Sequence, residues 1–177
     1  LVIGKAAAIV SLANLSQIYD STGRPVTVTT LPAGLATTVT YNGSSTVPVN
    51  VASYAVVASI IDLNYQGSST GTLTITKGNA AVLLSGLTAT YDGTPKAISA
   101  TTTPPGLPTT FAYNGSSTPP TAAGIYAAVG TVVDPNWQVS SSGKLTVNKA
   151  VPALPPGNLT QGKHGHPQAG PAARTPP

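Results

Sequence analysis

The chain repeats itself. Set against itself at an offset of 72 residues it aligns without a gap, and about 45 % of the paired positions are identical. Leu15, Tyr19 and Asp20 fall on Leu87, Tyr91 and Asp92. Tyr41-Asn42-Gly43-Ser44-Ser45-Thr46 recurs unchanged from Tyr113 to Thr118. Asp62, Asn64 and Tyr65 fall on Asp134, Asn136 and Trp137. Such a duplication restricts the chain to two units of one architecture, each with its own small core. The units read as residues 6–77 and 78–149. Leu1-Val2-Ile3-Gly4-Lys5 also aligns with Leu73–Lys77 and Leu145–Lys149, so residues 1–5 read as the last strand of a preceding repeat.

Within a unit the pattern is that of strands. Val26-Thr27-Val28-Thr29 and Leu73-Thr74-Ile75-Thr76 alternate apolar and polar residues, as one buried and one wet face require. Strands are expected near 9–12, 16–19, 25–30, 36–41, 53–61 and 71–76, and no 3.6-residue apolar period persists long enough for a helix. Asn42-Gly43 and Asn114-Gly115 supply residues that tolerate positive φ and mark turns, as do Pro32-Ala33-Gly34 and Pro104-Pro105-Gly106. Met is absent while Thr, Val and Tyr are plentiful, which favours pleated surfaces. The expected fold is all-β: two tandem small antiparallel modules. Only a few residues separate the last strand of one from the first of the next, near Ala81, so a semi-rigid rod is expected.

Charge and cysteine content narrow the chemistry. The net charge of +4 rests on eight cations and four acids, and Lys163 and Arg174 lie near the C-terminus. Nucleic-acid binding needs clustered Lys and Arg beside a reading element, and the sequence has neither, so no nucleic-acid partner is expected. The absence of Cys excludes disulfides, thiolate metal sites and cysteine nucleophiles. The longest apolar run, Tyr54 to Ile61, falls far short of a membrane span, so no membrane insertion is expected in this segment. Residues 151–177 hold seven Pro and four Gly without strand alternation, and a disordered Pro/Gly-rich tail is expected from residue 150 onward.

Candidate site residues all sit at repeated positions. The four acids are Asp20 with Asp92 and Asp62 with Asp134. An active site seldom appears twice in adjacent divergent copies, and turn capping by side-chain-to-backbone hydrogen bonds is the simpler role. Without Glu, and with both His residues in the tail, neither paired-carboxylate nor Ser/His catalysis has its parts. No enzymatic activity, cofactor or metal is therefore expected. Asp62-x-Asn64-x-Gln66-Gly67 superficially resembles a calcium loop, but no acid closes it, and Val139 stands where Gly67 does. Seven Tyr and one Trp fill four repeat positions, which favours packing in the core or along strand faces. Trp137 and its counterpart Tyr65 are the candidates for a ligand face, since aromatic rings stack on sugars and this is the one Tyr or Trp position at which the copies differ. Tyr19, Asp20, Tyr91, Asp92, Asp62, Asn64, Asp134 and Asn136 are read as structural motif residues.

These motifs carry a resemblance. Tyr91-Asp92-Gly93-Thr94-Pro95-Lys96, Tyr113-Asn114-Gly115, Gly124-x-Tyr126, Asp134-x-Asn136-Trp137 and Leu145-Thr146-Val147-x-Lys149 resemble, in order, the bacterial surface-protein repeats called MBG or YDG domains. The first copy is more divergent, with Tyr19-Asp20-Ser21-Thr22-Gly23-Arg24 in the first motif. The resemblance implies an Ig-like sandwich or a β-grasp-like module, in tandem within a bacterial extracellular or cell-surface protein of adhesin type. It further implies spacer repeats whose partners are neighbouring repeats of the same chain. The alternative it leaves open is an adhesive module that binds glycan or a host surface protein.

Overall fold

The computed structural model describes residues 3–152. The tail expected from residue 150 lies almost wholly outside them, as do Leu1 and Val2. The first module contains β1 (Ala6–Ala7), β2 (Ile9–Ala13), β3 (Ser16–Ile18), β4 (Thr27–Leu31), β5 (Thr37–Tyr41), β6 (Ala52–Ile60), β7 (Tyr65–Gln66) and β8 (Ser68–Thr76). Every strand recurs 72 residues on, as β9 (Gly78–Asn79), β10 (Ala81–Ser85), β11 (Thr88–Thr90), β12 (Ser99–Thr103), β13 (Thr109–Tyr113), β14 (Gly124–Val132), β15 (Trp137–Gln138) and β16 (Ser140–Asn148). The described residues contain no helix. Each module is thus all-β, and with no helix to lie across a sheet it is a sandwich rather than a β-grasp.

One layer is the antiparallel pair β2–β4, and the other is a four-stranded sheet in the order β3-β8-β6-β5. Pairing is antiparallel except where β3 joins β8, and β1 joins β7, in parallel. The parallel pairing follows from a change of layer. The chain leaves β2, bends at Asn14-Leu15 and enters the other sheet as β3. Asn14 makes the bend at φ 58°, and its counterpart Gly86 has φ 72°. Asn and Gly are the residues that adopt left-handed backbone at least cost, so they can replace each other here.

The strand alternation builds the core. Val10 and Leu12 of β2 face inward while Ile9 stands outside, and Tyr54, Val56 and Ala58 project from β6 toward the same layer. Val26, Tyr41, Val56, Leu73 and Ile75 form the core of module 1; Leu84, Ile98, Tyr113, Ala128, Leu145 and Val147 form that of module 2. Each fully buried aliphatic side chain contributes roughly 1.5–3 kcal/mol, so cores of five or six such residues are modest. Tyr41 and Tyr113 are buried with their hydroxyls. A buried phenol needs a partner. The Tyr41 hydroxyl accepts from the Val26 amide at 3.1 Å, and that of Tyr113 from the Ile98 amide at 2.9 Å, each tying the loop before the β4 or β12 strand to the four-stranded sheet.

The six expected strands lie close to their expected positions, the short strands β1 and β7 come in addition, and three further differences stand out. The long last strand begins at Ser68, ahead of the alternating Leu73–Thr76 stretch that marks it in the sequence. Asn42-Gly43 makes a tight turn in which Tyr41 and Ser44 exchange hydrogen bonds of 2.7 and 3.0 Å, and the chain then runs on to Asn50 before β6 begins. Ile3–Lys5 makes no strand pairing. The counterparts of its first two residues, Ile75 and Thr76, end β8, which pairs with strands of its own module.

A junction between the modules is the candidate functional site

The site grows from a turn. After β14 the chain reverses through Val133-Asp134-Pro135-Asn136 into β15. Asp134 holds this reversal, its Oδ1 accepting from the amides of Asn136 at 2.8 Å and Trp137 at 3.0 Å. Asp62 does the same for Asn64 at 2.7 Å and Tyr65 at 3.0 Å. A carboxylate that accepts from two amides ahead of it fixes a tight turn without other residues. In both copies this oxygen is occupied by the backbone, and the described residues contain no cluster of three metal-ligating acids or His.

The turn in module 2 presents two side chains to module 1. Asn136 Oδ1 accepts from the Val51 amide at 2.9 Å, and its Nδ2 donates to Asn50 Oδ1 at 3.2 Å. The Trp137 ring meets Tyr19 edge-on, with centroids 5.1 Å apart and planes at 81°. Lys77, at the end of module 1, donates from Nζ to the Asp134 carbonyl at 3.1 Å. The short strands β9 and β15 pair in parallel beside these contacts, and the Gly78 amide donates to the Asn136 carbonyl at 2.9 Å.

Gly78 lets the two modules approach. A Cβ there would lie 2.7 Å from Trp137 Cζ3 and would also collide with the Tyr19 carbonyl oxygen. The ring can rest on bare backbone only because position 78 has no side chain. Two side-chain hydrogen bonds near 1 kcal/mol each and an aromatic pair of similar size give a joint on the order of a few kcal/mol. That is enough to bias the angle between modules, and far less than would merge them into one core.

Asp20 and Asp92 lie elsewhere, in the exposed turns after β3 and β11. Asp20 Oδ1 accepts from the Thr22 amide and hydroxyl at 2.9 and 2.5 Å, and Oδ2 meets Arg24 at 2.5 Å. Asp92 accepts from Thr94 in the same way, at 2.9 and 2.6 Å, and pairs with Lys96 at 2.5 Å. The Thr22 hydroxyl lowers the Asp20 pKa, with Arg24 adding to it; at Asp92 the Lys96 ammonium lowers it furthest. These carboxylates stay ionised and hold turns.

Of the two ligand-face candidates, Trp137 is half-buried at the junction, and Tyr65 is half-buried beside Lys5 and Ala6 at the opposite end of module 1. Asn136 and Tyr19, read as structural motif residues, each make a contact across the modules, Asn136 with Val51 and Asn50 and Tyr19 with Trp137. One sequence signal points to this: the larger ring, Trp137, is matched by Gly78, and the smaller, Tyr65, by Ala6. An open groove of about 460 Å³ is lined by Trp137 together with Lys77, Asn79, Thr131 and Gln138.

Two copies of one sandwich, joined end to end through a turn that each carries, define a tandem-repeat protein whose site is the joint itself. The model of the MBG domain matches residues 8–79 and again residues 80–151. The chain belongs to the MBG domain family. Domains of this family generally occur in surface or extracellular proteins. A search of curated proteins gave no match.

Proposed function

We propose that these modules are a structural spacer, a length of stalk in a bacterial extracellular or cell-surface protein, without enzymatic activity. The observation that carries this reading is the junction, where Asn136 and Trp137 of one module engage Asn50, Val51 and Tyr19 of the other. A spacer must keep its direction across each joint, and a joint with directional hydrogen bonds and a fixed ring contact resists bending. The strand order also suits load along the chain. The first sheet-crossing strand, β3, and the last, β8, are parallel neighbours, so tension on the two ends of a module drives them in opposite directions along their shared edge. Hydrogen bonds such as Tyr19 amide to Thr76 carbonyl and Thr74 amide to Leu15 carbonyl are then loaded together rather than one at a time. Small-angle scattering tests the reading: an elongated particle two modules long supports it, and a compact globule overturns it.

A second reading is an adhesive module that binds glycan or a host surface protein. The open groove beside Trp137, with Asn79, Thr131 and Gln138 offering polar groups along an aromatic ring, favours it. A glycan and mucin array tests this. Binding that is lost in Gln138→Ala would place the ligand in the groove, since that side chain takes no part in the contacts between modules; no binding above background would remove the reading.

A further inference from the structure

Among the described residues, the outer faces of modules 1 and 2 each carry one half of the joint seen between them. At the junction Asn136 is half-buried and hydrogen-bonded, whereas its counterpart Asn64 is exposed. Gly78 is buried, whereas Ala6 is exposed. Tyr19 and Val51, on the receiving side, are half-buried, whereas Tyr91 and Ala123 are exposed, Tyr91 at 43 %. The rest of the joint is already assembled at the open end of module 1. Strands β1 and β7 pair in parallel as β9 and β15 do, and Lys5 donates to the Asp62 carbonyl at 2.7 Å as Lys77 does to that of Asp134. The Ala6 amide donates to the Asn64 carbonyl at 2.7 Å, matching Gly78 and Asn136.

We propose that the face bearing Lys5, Asn64 and Tyr65 is a docking surface for the closing end of a second copy of module 2. This rests on the reading of the junction as a structural joint. The occupant follows from continuity with that joint: Asn64 offers Oδ1 to the amide at the position of Val51, and Tyr65 offers its ring to the tyrosine at the position of Tyr19. Module 2 displays both receiving groups, as Ala123 and Tyr91. The new joint is the looser of the two. Ala122 stands where Asn50 does, so the second Asn136-type bond is missing, and the Ala6 methyl group faces the carbonyl that Gly78 leaves clear.

The test is a three-module chain in which a copy of residues 78–149 replaces residues 1–5, leaving Lys149 where Lys5 stood. Amide hydrogen exchange is followed by NMR at Ala123 of the added copy, at Ala123 of the last module and at Val51. The added copy's Ala123 is expected to exchange about fivefold more slowly than that of the last module, the protection of one net hydrogen bond. Asn64→Ala should abolish the difference. Equal exchange at both Ala123 amides, with no effect of Asn64→Ala, overturns the proposal even if Val51 still depends on Asn136. If Asn136→Ala leaves Val51 unchanged as well, the joint itself fails and the proposal falls with it.

Discussion

Trp137 of the second module stands edge-on to Tyr19 of the first, their ring centroids 5.1 Å apart. The two residues are 118 positions apart in the sequence and belong to different modules, so their meeting reports on the angle between modules and little else. Trp137→Ala should leave each module folded, with a denaturation midpoint close to that of the parent, while widening the distribution of angles between them. Spin-label distances between the far ends of the two modules would measure this; a distribution as narrow as the parent's would count against the ring contact.

Gly78 makes a sharper test, because its effect is steric. A side chain there meets the Tyr19 carbonyl and the Trp137 ring together. Gly78→Val should therefore open the joint more than Trp137→Ala does, again without unfolding either sandwich. Tryptophan emission offers a simple readout: the ring moves into water, and its spectrum should shift to the red.

The buried tyrosines contribute to the stability of the modules. Tyr113→Phe keeps the ring and removes the hydroxyl to which the Ile98 amide donates at 2.9 Å, leaving a buried donor unpaired. The expected cost is about 1–3 kcal/mol. Tyr126→Phe removes a hydrogen bond at an exposed site, from the hydroxyl to the Ala122 carbonyl, and should cost far less. Denaturant unfolding of the two variants would show the difference.

Acid stability should depend on Asp92. Its pKa in the folded protein lies below the ordinary 3.8, chiefly through Lys96 and then Thr94. Folding therefore favours the ionised form. The stabilisation is complete above pH 3.8 and fades as the pH falls below it toward the folded-state value. Because the carboxylate is exposed, the effect is small. Asp92→Asn should lower the melting temperature slightly at pH 6, and the gap from the parent should shrink by pH 2.5. A gap that grows on acidification would contradict the assignment.

Much of this architecture was legible in the residues. The repeat, the strand positions and the turns at Asn42-Gly43 and Asn114-Gly115 follow from local pattern, because period-two alternation and positive-φ residues act over a few positions. The turn-capping of Asp62 and Asp134 was legible for the same reason. The joint was not. Trp137 drew attention as the Tyr or Trp position that differs between copies, a candidate ligand face beside the favoured reading of packing in the core or along strand faces. What brings it against Tyr19 is the end-to-end stacking of two sandwiches, a relation between modules that no local pattern encodes. The size match of Gly78 with Trp137 and of Ala6 with Tyr65 is its only trace in the sequence. The parallel entry of β3 beside β8 was hidden as well, since alternation gives a strand's faces and not its direction.

Residual dipolar couplings measured on the intact chain test the central claim, that Asn136 and Trp137 hold the modules at a fixed angle, most directly. If the joint is as described, couplings from residues 6–77 and 78–149 fit one alignment tensor of common magnitude and axes, and Asn136→Ala with Trp137→Ala splits it into two. Two unrelated tensors in the parent chain would show modules that move independently, and the spacer would then be a string rather than a rod.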